Sequence, residues 1–107
     1  MPLSFAKKSG APQIADQARL DEILKLLRQQ RTAKIELTGH TSDEGTAGAN
    51  QEIGQLRADA TKELLRKRGI DVGRIRTQTV GSSAPIAPND SDEDRQKNRR
   101  VTLRLVP

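Results

Sequence analysis

Near its carboxyl end the chain reads Arg100-Val101-Thr102-Leu103-Arg104-Leu105-Val106, with an apolar side chain at Val101, Leu103 and Leu105. Side chains of a strand point alternately to its two faces, so this pattern describes a strand buried on one side and wet on the other. Such a strand needs neighbours in a sheet and a cover for its apolar face. Residues 34–38 alternate in the same way through Ile35 and Leu37, and Gly39 is expected to stop that strand. Residues 74–80 supply a third, with Ile75 its clearest core residue, and Leu3 and Phe5 a weak first strand ending around Gly10.

Two helices can provide the cover. Over residues 12–30, Leu20, Ile23, Leu24 and Leu27 fall at i, i+3, i+4 and i+7, which is one stripe of a helix. Residues 47–68 form the second, with Ile53, Leu56, Ala60 and Leu64 as the expected stripe and Gly69 as the stop. Residues 81–94 hold two prolines and a run of acids and are expected to be a long surface loop. The order β-α-β-α-β-loop-β points to the α/β (α+β) class, with helices packed on a mixed sheet.

The 107 residues suit one domain, and 33% hydrophobic against 31% charged residues implies a thin core. A formal charge of +5 invites an anionic partner such as nucleic acid, a membrane surface or the acidic bacterial wall. Both signs are mixed along the chain, so charge alone selects none of them. The aromatic residues decide more: there is one Phe, no Tyr and no Trp. Base-stacking platforms need exposed rings, which argues against nucleic acid as a partner. Without cysteine there are no disulfides or zinc–thiolate sites. No apolar run is long enough to cross a membrane, and the first ten residues lack the apolar core of a secretory signal. A domain of this kind working outside the cytoplasm is therefore expected to be part of a longer protein.

Candidate binding residues gather on the second helix and before it. At about 100° per residue, Asn50 and Arg57 lie on one side at the margin of the expected stripe. Gly54 falls between them, where bare backbone would let a ligand approach. Equally, Arg57 can snorkel its stem along the core edge. The loop of residues 40–46 joins a strand's carboxyl end to a helix start, a place that favours anions, or it is a plain connection. His40, Ser42 and Asp43 sit too close in sequence to converge as a hydrolase triad, and one His makes no metal site. No enzyme activity, cofactor or metal is expected. The densest basic cluster is Arg95 to Arg100, a solvated turn or a second cationic contact beside Arg57.

Together, Gly39-His40-Thr41, Gly45, Asn50, Arg57-Ala58, Gly69-Ile70, Arg74-Ile75, Asn89 and Asn98-Arg99-Arg100-Val101 resemble the OmpA-like C-terminal domain. That family includes the peptidoglycan-associated lipoprotein and flagellar stator proteins. Its pattern G-H-T-D-x-x-G-x-x-x-x-N-x-x-L-S-x-x-R-A runs without a gap from Gly39 to Ala58, and the resemblance covers about residues 3–106. It implies a single domain over residues 1–107, a mixed four-stranded sheet carrying helices, and a periplasmic place in an envelope protein. It also implies non-covalent, non-catalytic binding of the peptidoglycan stem peptide at diaminopimelate. By resemblance Arg57 takes the carboxylate, Asn50 assists, Thr41 lines the loop and Arg100 is the expected contribution of the basic tail. An arginine suits the task because its planar fork gives two charge-assisted hydrogen bonds.

The chain departs from the pattern where the family carries its ammonium-binding Asp. Ser42 stands there and Asp43 follows, while Ile53 and Gly54 replace a Leu and a Ser. Either Asp43 turns inward as substitute, or Ser42 and water hold the ammonium, or wall binding is weakened or lost. The last case makes the domain a scaffold for protein–protein assembly in a secretion or motor complex, with envelope-complex proteins or a second copy in a homodimer as partners.

Overall fold

In the computed structural model the described residues are 2–4, 17–43, 45–83, 89 and 91–106. Along the chain they form β1 (Pro2–Ser4), α1 (Gln17–Gln29), β2 (Lys34–His40) and α2 (Ala47–Lys67). A 3-10 turn (Val72–Arg74), β3 (Ile75–Gly81), α3 (Asp92–Asn98) and β4 (Arg100–Val106) follow. The four strands make one sheet in the order β1-β4-β2-β3. β4 runs antiparallel to both its neighbours, and β2 is parallel to β3. The expected extension of the first strand to Gly10 and of the first helix back to residue 12 lie outside the described residues.

Register puts the apolar positions on one face. Ile35 pairs with Leu105 and Ile75, and Leu37 with Leu103. Against this face α1 sets Leu20, Ile23, Leu24 and Leu27, while α2 adds Ala58 and Leu65, closing a two-layer core. The opposite face carries Glu36, Arg76 and Arg104 and is polar, as the alternation predicts.

The ends of α2 follow capping chemistry. Thr46 accepts a hydrogen bond from Ala49 N at its start. At its finish Gly69, at φ +91°, donates to Arg66 O, and Ile70 N donates to Leu65 O, a Schellman closure that also buries Ile70 beside the core. Arg74, expected only as a strand start, instead closes the end of α1 by donating to the carbonyls of Leu27, Gln30 and Ala33.

Three expectations are corrected. β2 does not stop at Gly39 but continues to His40. The expected loop over residues 81–94 is cut short at Asp92, where α3 begins with no apolar period to announce it; Asp92 and Glu93 at its start and Lys97 near its end suit the helix dipole instead. The largest correction concerns α2. Leu56 is 63% exposed, and the buried residues are Asn50, Gly54, Arg57, Ala58, Thr61 and Leu65. The buried face is thus rotated by about 90° from the apolar stripe. The cause is a close approach of backbones, since a Cβ on Gly39 would stand 1.8 Å from Gly54 O. Only a face of small residues can seat that deeply, so Gly54 meets β2 and is not open backbone for a ligand.

Truncating a true core residue and a member of the misplaced stripe separates the two faces. Leu24→Ala is expected to cost roughly 2–5 kcal/mol and Leu56→Ala no more than about 0.5 kcal/mol, read by urea denaturation. Equal losses would overturn this assignment of the helix faces.

Candidate functional site

At the carboxyl end of β2 the chain buries an unusual number of polar groups. His40, Thr41, Ser42, Asn50, Arg57, Asn98, Arg99 and Arg100 are all 6% exposed or less. β2 delivers His40, the following turn carries Thr41 and Ser42, α2 contributes Asn50 and Arg57, and the lead into β4 brings the last three.

Arg57 was expected at the margin of the helix stripe, but the rotation of α2 carries it inside, where it is 2% exposed. Its Nη1 donates to His40 O at 3.0 Å. Burial, and after it the charge of Arg99, push its pKa down to about 10, so it remains a cation at neutral pH. Asn50 sits two turns earlier on the same face, under Gly45; a Cβ on that glycine would stand 3.7 Å from Asn50 Oδ1. Gly45 has φ +87°, the left-handed geometry that lets the turn fold over the helix start. Thr41 N donates to Gly81 O at 2.8 Å, while the buried Thr41 Oγ1 finds no hydrogen-bond partner among the described residues. A buried hydroxyl left unsatisfied costs about 1–3 kcal/mol, so it is a candidate contact for a ligand.

Asp43 does not turn inward. Its side chain is 55% exposed and its carboxylate lies 3.7 Å from Arg95 Nε on α3. The backbone N–H of Asp43 is held by Asn89 Oδ1, which also accepts from Asn98 Nδ2 at 2.9 Å, and these bonds fix the turn with its acid outward. Ser42 takes the buried position after Thr41.

The two arginines of the basic tail bear on different groups. The arginine whose charge bears on Arg57 is Arg99, while Arg100 bears on His40. Val101 and Leu103 face the helices, so within β4 Arg100 and Thr102 share the other side, where His40 Nε2 and Thr102 Oγ1 make a 3.0 Å hydrogen bond. Arg99 lies just before the strand, its backbone N–H still bonded to Arg95 O at the end of α3. Burial pushes the Arg100 guanidinium down.

Among the described residues no group of three or more His, Cys, Asp or Glu could hold a metal ion, and no helix is long and apolar enough to cross a membrane. The site offers cations, hydroxyls and an amide, which bind by charge and hydrogen bonding.

A mixed sheet with helices on one face and this polar corner at the end of β2 defines a class. The chain belongs to the OmpA family, whose model matches residues 5–99. It is 31% identical over 105 residues to the probable lipoprotein YiaD of Escherichia coli K12, covering 98% of this chain and 48% of that protein. It is also 36% identical over 84 residues to a peptidoglycan-associated lipoprotein of Buchnera aphidicola, covering 78% and 49%. The crystal structure of the peptidoglycan-associated lipoprotein from Burkholderia pseudomallei matches with a TM-score of 0.91 at 26% identity, over 97% of this chain and 88% of that one. The C-terminal domain of Helicobacter pylori MotB matches with a TM-score of 0.87 at 28% identity, over 100% and 84%. The chain spans about half the length of the curated relatives it matches.

The buried histidine gives the domain an acid-sensitive corner. Burial, with Arg100 adding to it, holds the His40 pKa near 4, below its usual 6.5. Between those values the unfolded chain binds a proton that the fold refuses. Stability contributed here is therefore complete above about pH 6.5 and is lost as pH falls towards 4, by up to about 3 kcal/mol. Denaturation at pH 7, 5.5 and 4 is expected to show a shallower acid loss in His40→Asn than in the wild type; parallel profiles would exclude His40 as the cause.

Proposed function

We propose that this domain grips peptidoglycan non-covalently, at the diaminopimelate of the stem peptide, and so ties an envelope protein to the wall on its periplasmic side. The observation that carries the reading is the burial of Arg57, under the charge of Arg99 and bonded to the carbonyl of His40, the residue before Thr41, whose buried hydroxyl has no partner among the described residues. Burying a guanidinium costs several kcal/mol, and at Arg57 the unfavourable influences outweigh those that stabilise its charge. An incoming carboxylate reverses that balance and is matched by the planar fork of Arg57. Kinship with peptidoglycan-associated lipoproteins supports the same ligand class.

In this assignment Arg57 takes the carboxylate, Arg99 adds field, Asn50 and Thr41 orient the headgroup, and Ser42 meets the ammonium. With Arg57 only 2% exposed, the turn carrying Thr41 and Ser42 yields as the ligand enters. Asp43, paired outward with Arg95, is not the ammonium's partner. Forgoing a charged hydrogen bond costs roughly 1.5–3 kcal/mol, so the domain holds the wall about ten- to a hundredfold more weakly than one with an inward acid.

Retention on purified insoluble peptidoglycan tests this. Arg57→Lys keeps a cation but loses the fork, and Arg57→Ala loses both; retention is expected to fall in that order, with folding checked by circular dichroism. Undiminished pull-down of folded Arg57→Ala would overturn the site. Ser42→Asp supplies the missing carboxylate and is expected to raise retention by about tenfold. No gain would show that the ammonium is already served. A second reading, a scaffold for assembly in the envelope, draws on the outward Asp43, and a folded wild type that peptidoglycan does not retain would favour it.

A further inference from the structure

The seam between α2 and the sheet lies one helical turn from Arg57, and it is filled to contact. A Cβ on Gly54 would stand 2.2 Å from Thr79 Oγ1 and 3.1 Å from Gly39 O, while one on Gly39 would stand 1.8 Å from Gly54 O and 2.9 Å from Gly54 Cα. Neither side of the seam has room for a methyl group, and the Thr79 hydroxyl already occupies the space that Gly54 leaves. Arg57 follows Gly54 by three residues, and its acceptor, His40 O, belongs to the residue after Gly39. Both ends of that 3.0 Å bond are thus hung from the seam. Lifting α2 by about 1 Å would stretch it beyond the range in which such bonds hold.

Thr79 has a second connection to the site. In the β2–β3 register Gly39 faces Thr79 and His40 faces Gly81, so Val80 is the extra residue of a bulge. Thr79 Oγ1 accepts from Gly81 N at 3.3 Å, and Gly81 O accepts from Thr41 N at 2.8 Å. The hydroxyl that fills the seam also ties the bulge from which Thr41 hangs.

We infer that Gly54 and Thr79 are a matched pair of positioning residues, which set the depth of Arg57 and the place of Thr41 and so tune ligand affinity from β3. The inference rests on the wall-binding reading for its effect on affinity, and on geometry alone for its effect on Arg57.

The test compares wild type, Gly54→Ala, Thr79→Ala and the double variant, each at a temperature where circular dichroism shows it folded. Two quantities are read: retention on insoluble peptidoglycan, and solvent exchange of the Arg57 guanidinium protons by NMR, which needs no ligand. Gly54→Ala is expected to speed that exchange and to lower retention at least tenfold. Removing the Thr79 hydroxyl in the double variant relieves the 2.2 Å clash with the new methyl and is expected to restore protection of Arg57, while retention recovers only in part because the tie to the bulge that carries Thr41 is lost with the hydroxyl. A seam that served stability alone would lower the melting temperature and leave both readouts of the folded protein unchanged, which would overturn the inference. So would a double variant no better than the single one. Should Gly54→Ala fail to fold, a folded double variant with protected Arg57 supports the pairing and an unfolded one overturns it. A wild type that peptidoglycan does not retain removes the wall-binding reading, while the exchange measurement still decides whether the seam positions Arg57.

Discussion

The contact of Gly39 with Gly54 is the constraint on which the arrangement of this domain depends. It lets the backbone of α2 come down onto β2 without side chains between them. A helix seated so closely must present small residues, and Gly54, Ala58 and Thr61 do so while Leu56 is left 63% exposed. The rotation that follows carries Arg57 from the helix margin into the interior, where it finds the carbonyl of His40. Depth of packing thus determines where the charge resides.

That corner concentrates positive charge under cover. Arg57, Arg99 and Arg100 are each at most 5% exposed, and the neighbouring histidine stays neutral at pH 7 because burial and Arg100 disfavour its proton. Exposed ion pairs elsewhere, such as Arg66 with Glu63 or Arg104 with Glu36, are screened by water and contribute little to stability. Buried positive charge is thus gathered at the end of the strand where α2 begins, and protonation of His40 would add to it.

Much of this architecture is legible in the residues, and the exceptions share a physical cause. Strict alternation identifies β4, the four leucine and isoleucine positions of α1 identify its buried face, and Gly69 marks the end of α2 because a left-handed residue is needed there. Apolar periodicity misplaces the face of α2, because it counts hydrophobic side chains and is blind to close approach between two glycines far apart in the chain. It also misses α3, a short helix of polar and charged residues with no apolar stripe. At the site, the order of residues brings out Asn50, Thr41 and Arg57 as a group, and the structure buries all three at one corner. It does not tell that Asp43 faces Arg95, since that direction is set by Asn89 and Asn98 more than forty residues away. Nor does it tell which neighbour each arginine of the tail meets, since Arg99 ends α3 and Arg100 begins β4.

The placement of β4 has a bearing on how such a domain comes into being. The last of the four strands in chain order is an inner strand of the sheet, and among the described residues it alone joins β1 to β2. Until it arrives, β1 has no strand to pair with among the described residues, and the apolar face of β2 is only partly closed. Pairings between such distant segments are slow to form because a long loop must close before any contact repays it. β1 and β2 are accordingly brought into one sheet only once β4 has been made, whatever the helices have formed by then.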